Sequence, residues 1–145
     1  MKISTKGRYA LRTLIDLAQH SNGGLVALKD IAARQEISQK YLEQIVTQMT
    51  RAGFLKGVRG SQGGYRLSRD PRNINVGEIL EAIEGSLSPV ACLDPGREVC
   101  DRCGECSTLD LWKGLYGTVM DYLSAITLQD LVDRANASGN RVKPV

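Results

Sequence analysis

Residues 54–71 read FLKGVRGSQGGYRLSRDP. Two short apolar runs, around 54–58 and 65–68, flank the tip RGSQGG, and this arrangement predicts a β-hairpin with a glycine-rich turn. Two strands alone make no stable sheet, so the hairpin has to be read together with the helices around it.

Those helices are legible upstream. In residues 5–21, Leu11, Leu14, Ile15 and Ala18 recur at the spacing of one helical face, and SNGG at 21–24 stops the run. A short helix follows in ALKDIAARQE, with Leu28, Ile31 and Ala32 inward. Ile37 then intervenes, and Ser38 is placed to cap a third helix over about 39–52. That helix turns Leu42, Ile45, Val46 and Met49 to one side, and Gly53 ends it. Short helix, tight turn, capped helix and glycine-tipped hairpin together make a winged helix-turn-helix. The fold class predicted is mainly α with a small β wing, the winged head being followed by a long dimerisation helix.

Beyond the wing, Asn75 and Glu78 have the spacing of a capping box before a helix with Val76, Ile79, Leu80 and Ile83 inward. Ser107 or Thr108 is placed to cap a longer helix to about 125. Its apolar positions Trp112, Leu115, Tyr116, Val119, Tyr122, Leu123 and Ile126 are spaced close to the repeat that suits packing against another long helix. Gly114 and Gly117 within it suggest close helix approach, and Trp112 reads as a packing residue. Thr127 caps a last short helix carrying Leu128, Leu131 and Val132. The chain thus divides into a DNA-binding winged helix-turn-helix domain (1–86), a cysteine-rich loop (87–106), dimerisation helices (107–136) and a flexible tail (137–145).

Charge separates the two halves. Residues 1–69 carry twelve Lys/Arg against four Asp/Glu, and residues 70–145 carry seven against twelve, although the whole chain is only +3. A basic half calls for a polyanion. The third helix would enter the major groove and present Gln39, Lys40, Glu43, Gln44, Thr47 and Gln48, side chains able to read base edges. Arg59 sits at the wing tip beside Gly60, Gly63 and Gly64, where it suits the negative potential of a narrow minor groove. Lys2, Lys6, Arg8, Lys56, Arg66 and Arg69 add positive charge. The plainer alternatives are a solvated helix face, or a winged helix used for protein contact.

All four cysteines fall in CLDPGREVCDRCGECSTLDLW, residues 92–112. Cys100, Cys103 and Cys106 form C-x2-C-x2-C, with Cys92 eight residues upstream. Soft thiolates in one loop suit an iron–sulfur cluster. The run of three also opens the bacterial ferredoxin pattern, so spacing leaves a [4Fe–4S] form open. Zinc fits less well, since closed zinc sites use separated pairs; free redox-active thiols are a third possibility. No apolar run has the length of a membrane span, and no signal-type apolar region follows the charged start, so a cytoplasmic location with reduced thiols is expected. An enzyme is disfavoured: there is one histidine, no P-loop and no G-x-S-x-G, and CDRC lacks the βαβ context of a thiol oxidoreductase. His20 lies at a helix end, where a cation complements the dipole. The carboxylates of 78–84 read as a solvated face.

STKGRYAL at 4–11, ISQKYLEQI at 37–45, VRGSQGGYRL at 58–67, VGEILEAIEG at 76–85 and ITLQDLV at 126–132 resemble the IscR/NsrR/CymR family of bacterial regulators. The resemblance covers about residues 1–135. It implies a homodimer, joined through the long helix, on a roughly palindromic double-stranded DNA operator. It also brings Ser38, Tyr41, Glu43 and Gln44 into the DNA-contact region and Arg59 into the minor groove. IscR-type members hold a [2Fe–2S] cluster with three cysteines and a histidine. Cys92, Cys100 and Cys106 match the cysteines, but Leu109 stands where the histidine falls. Cys103 is then the candidate fourth ligand, and a thiolate there makes the site more negative and harder to reduce. NsrR-type members take a carboxylate near the N-terminus, where this chain has Arg8, and CymR-type members lack the cysteine loop.

Overall fold

The structure, a computed structural model, describes residues 1–139; the expected tail over 137–145 lies mostly outside that range. Helices α1 (Thr5–His20), α2 (Leu28–Gln35) and α3 (Gln39–Arg51) precede strands β1 (Leu55–Val58) and β2 (Gly64–Leu67), and helices α4 (Val76–Glu84), α5 (Leu109–Ser124) and α6 (Leu128–Ala137) follow. The strands pair antiparallel, with Leu55 opposite Leu67 and Val58 opposite Gly64. One-residue bridging between Val26 and Tyr65 ties the loop before α2 to β2. A Cβ on Gly64 would collide with the Val26 carbonyl, so that approach requires glycine.

Local chemistry sets most of the boundaries. The Ser4 hydroxyl accepts from the Gly7 amide, and the Ser38 hydroxyl accepts from that of Tyr41. Asn75 and Glu78 close a capping box on α4, as Thr127 and Asp130 do on α6. Gly53 ends α3 at φ +89°, in the left-handed region. Thr108 departs from expectation: it precedes α5 in a helical conformation and its hydroxyl caps no amide.

One core joins Leu14, Leu17, Ile31, Leu42, Ile45, Met49, Phe54, Ile74, Ile79 and Leu128. A smaller cluster, Val76, Leu80 and Leu87, is covered by Tyr116, Met120 and Leu123 of α5. The buried face of α1 is wider than its apolar spacing predicts. Ala10, Thr13, Leu14, Asp16 and Leu17 are buried while Leu11, Ile15 and Ala18 are half-covered, because α4 and α6 pack on α1 as well as α2, α3 and β2.

Helices α5 and α6 are placed differently in the fold. Helix α6 returns to the winged head: Leu128 is in the main core, and the Asn75–Thr127 bridge is held by Val76 N donating to Ile126 O (2.9 Å) and Leu128 N to Ile74 O (2.8 Å). Helix α5 alone stands away, with no fully buried residue. Tyr116, Met120 and Leu123 face α4, and Leu111, Leu115 and Tyr122 are exposed. Leu123 therefore packs within the chain rather than on the outward stripe. A Cβ built on Gly114 or Gly117 meets nothing, so neither glycine marks a close contact within the described chain.

Candidate functional site

Helix α3 is fixed by its buried side, where Leu42, Ile45, Val46 and Met49 are wholly enclosed. What remains outside is polar: Ser38, Gln39, Lys40, Glu43, Gln44 and Thr47 are exposed. Lys40, Glu43, Gln44 and Thr47 line an open groove of about 550 Å3 with Lys6 from α1 and Arg51 from the end of α3. A second groove, about 320 Å3, runs from Thr47, Thr50 and Arg51 to Val58, Arg59 and Tyr65 of the wing. Arg51 lines both. Sequence reading passed over it because it falls on the last turn of α3, where a cation is also expected as a complement to the helix dipole.

Arg59 and Gly60 are both exposed at the wing tip, and Gly60 holds φ +115°, which a side chain would strain. Behind the tip, Lys56 stands directly across the sheet from Arg66, both exposed. Like charges in that position repel, and an anion laid along the wing relieves the repulsion.

Several expected contributors are otherwise engaged. Tyr41 is half-buried, its ring edge-on to Tyr9 at 5.9 Å, and the Arg12 guanidinium lies 5.1 Å from the Tyr9 ring centre. Gln48 also lines the groove, but its amide nitrogen donates to the carbonyls of Ala82 (3.0 Å) and Ile83 (3.3 Å) at the end of α4, which leaves only its carbonyl oxygen to face a base. Arg69 pairs with Glu78 (3.3 Å), donates to Asn73 O (3.2 Å) and covers Phe54. The carboxylates of α4 are not a solvated face either. Glu78 is a cap, and Glu84 Oε1 accepts from the Ser4 amide (2.9 Å) and hydroxyl (2.8 Å), fastening the start of α1 to the end of α4.

The head is also braced by a group that the sequence did not advertise. Asp16, wholly buried on α1, accepts from Arg34 Nε (2.9 Å) and Nη2 (2.7 Å) and from Gln35 Nε2 (2.8 Å) of α2. Arg12 in turn donates to Gln35 Oε1 (3.1 Å) and to the Gln35 carbonyl (2.6 Å). The Asp16 carboxylate raises the Arg34 pKa further above its ordinary value by hydrogen bonding. His20 sits beside this group, with Nδ1 at 2.9 Å from the Asp16 carbonyl oxygen.

The loop between α4 and α5 begins at an anchor. Asp94 accepts from the hydroxyls of Ser86 (2.7 Å) and Ser88, and the Ser88 and Ser86 hydroxyls hold its carboxyl below the ordinary range. All four cysteines are unpaired, and all four line one cavity of about 170 Å3. Leu93 and Val99 supply apolar wall, and α5 supplies Leu109 and Lys113. Leu109 thus stands among the cysteines themselves. The Cys106 thiol is drawn below the ordinary thiol range by the Thr108 hydroxyl (3.6 Å), then by the Thr108 and Leu109 amides and the Arg102 charge. Among the described residues, no three His, Cys, Asp or Glu side chains already stand in metal-holding geometry. No described helix is long and apolar enough to cross a membrane.

A capped recognition helix, a basic groove on its outer side and a cation-tipped wing define a winged-helix DNA-binding protein. The chain belongs to the Rrf2 family, whose model, described as "Iron-dependent Transcriptional regulator", matches residues 3–134. A putative HTH-type transcriptional regulator of Haemophilus influenzae is 41% identical over 136 residues, covering 94% of this chain and 89% of that one. The IscR regulator of Pectobacterium atrosepticum is 40% identical over 133 residues (92% and 80%). Among solved structures, CymR (YrzC), the global cysteine regulator of B. subtilis, superposes with a TM-score of 0.76 at 38% identity (92% and 98%). T. potens IscR does so at 0.73 and 40% identity (93% and 88%). The protein is accordingly an IscR-like transcriptional regulator that binds DNA, and not an enzyme.

Proposed function

We propose that this regulator binds a roughly palindromic operator as a homodimer and reports iron–sulfur or redox status through a [2Fe–2S] cluster held by Cys92, Cys100, Cys103 and Cys106. The observation that carries the reading is the shared cavity: four thiols from one loop face a single space. The donor set fits the group, because iron–sulfur clusters take soft thiolates and four are at hand. Three of the four cysteines are exposed and Cys103 is half-covered, so the loop can close around a guest without unpacking a core. When bound, the cluster would supply one-electron redox chemistry and lability to oxidants. The protein's own residues do the rest. The Asp94–Ser86–Ser88 anchor fastens the loop to the end of α4, and Leu109 and Lys113 carry the cavity wall onto α5.

On the DNA side, Gln39, Lys40, Glu43 and Gln44 would face base edges, Ser38 and Tyr41 the backbone near the start of α3, and Arg59 with Gly60 the minor groove. Lys6 and Arg51 border the groove where phosphates would pass. The exposed stripe Leu111, Leu115 and Tyr122, flanked by Trp112 and Val119, supplies the face for the second copy.

The experiment is anaerobic purification of wild type and of four single Cys→Ala variants, with iron, sulfide and zinc analysis and visible spectra. The reading expects iron and sulfide in the wild type and loss or spectral change in every variant. A Cys103→Ala protein with a full, unchanged cluster would remove Cys103 as the fourth ligand. A second reading is a thiol- or zinc-based redox regulator, and one observation favours its thiol form: the four thiols are free, and among the described residues no three ligand-type side chains stand in metal-holding geometry. Zinc in place of iron, or neither, would select it.

A further inference from the structure

Resting on the cluster reading, we propose that Arg97 and Lys113 are counter-charges of the cysteine cavity, offsetting the negative charge of a four-thiolate cluster and raising its reduction potential. The signs in the wall carry the inference. Between Cys92 and Cys106 the loop holds four carboxylates, Asp94, Glu98, Asp101 and Glu105, and only two arginines. A wall built without regard to sign would draw mainly on the acids. The cavity takes none of them; it takes Arg97 from the loop and Lys113 from α5. Asp94, the acid nearest Cys92 in sequence, is turned to the hydroxyls of Ser86 and Ser88.

Ligand charge gives such cations something to offset. Leu109 lines the cavity and has no lone pair, so an all-cysteine site carries one more negative charge than a site with a neutral imidazole. Negative charge gathered in a partly enclosed space is costly unless opposite charge lies close. Reduction adds a further negative charge as one electron enters from an external donor. A nearby cation favours the reduced form more than the oxidised form and so raises the potential. Both cations are exposed, and solvent and salt weaken their effect without changing its sign.

The test uses full-length protein loaded anaerobically with iron and sulfide: wild type, Arg97→Gln, Lys113→Gln, the double variant and Arg97→Lys. Iron and sulfide per chain are measured first, then the midpoint in a redox titration followed by visible absorbance. The expected result is a negative shift in each Gln variant, close to the sum in the double variant, and a midpoint near wild type for Arg97→Lys. Loaded Gln variants with an unshifted midpoint overturn the inference and leave the cluster reading standing. Wild type that takes up no iron and sulfide overturns both. If Arg97→Gln does not load, loading by Arg97→Lys supports the charge role, and its equal failure overturns it.

Discussion

Replacing Asp16 with Ala should destabilise the protein by about 2–4 kcal/mol. The carboxylate is wholly enclosed and serves three donors on α2. Its removal strands the Gln35 amide, only 2% exposed, and an unsatisfied buried polar group costs about 1–3 kcal/mol. The Arg34 side chain is 34% exposed and regains water on one edge, so the lost pair adds about 1 kcal/mol. The total overlaps only the lower part of the roughly 3–5 kcal/mol range for breaking a fully buried pair. For a chain of this length it corresponds to a fall in Tm of about 4–16 °C. Urea and thermal unfolding followed by circular dichroism at one fixed protein concentration measures it, since the proposed self-association would make stability concentration-dependent. Arg34→Ala and the double variant complete a cycle in which the double costs less than the two singles together, because the groups share partners. An Asp16→Ala protein within about 0.5 kcal/mol of wild type, or strictly additive singles, would refute the reasoning.

Arg59→Ala should weaken specific DNA binding by about 1–3 kcal/mol while fold and assembly persist; an unchanged affinity in a titration at fixed salt excludes a minor-groove role. Leu115→Glu puts a charge on the outward stripe of α5 and should convert a dimer to a monomer at micromolar concentration in light scattering; a retained dimer places the interface elsewhere. Asp70 is held at about 2, first by the Arg72 side chain and then by its amide. Its contribution to stability is full above the ordinary carboxylate range and is lost only as pH falls toward that value. A carboxyl-carbon NMR titration with an ordinary Asp midpoint would contradict it.

What the sequence made legible is what local chemistry decides. The caps at Ser38, Asn75–Glu78 and Thr127, the glycine stop at Gly53 and the glycine-tipped hairpin all depend on residues a few positions apart. Groups paired across the fold were not legible. Asp16 looks like an ordinary polar position until α2 brings Arg34 and Gln35 against it. Glu84 looks solvated until Ser4, eighty positions away, donates to it. Gln48 and Gln44 are alike as residue types on α3; only the end of α4, which accepts from Gln48, separates a packing amide from an exposed one. At the cysteines, sequence supplied the donors and the odd residue, Leu109, but not the wall. That Arg97 and Lys113 line the cavity while Glu98, Asp101 and Glu105 do not depends on how the loop turns.

The bridge between Asn75 and Thr127 has a consequence for how the protein is made. The winged head is encoded ahead of α6, yet its core is completed by Leu128, and Ile74 O and Val76 N find their partners only on either side of Thr127. While the wing emerges from the ribosome, α6 is still unsynthesised, and the nascent head carries an uncovered apolar gap beside two unpaired backbone groups. Such surfaces invite aggregation or chaperone capture. Closure waits until α6 has emerged, so a chain interrupted before α6 is left without the residue that completes the core of its winged head.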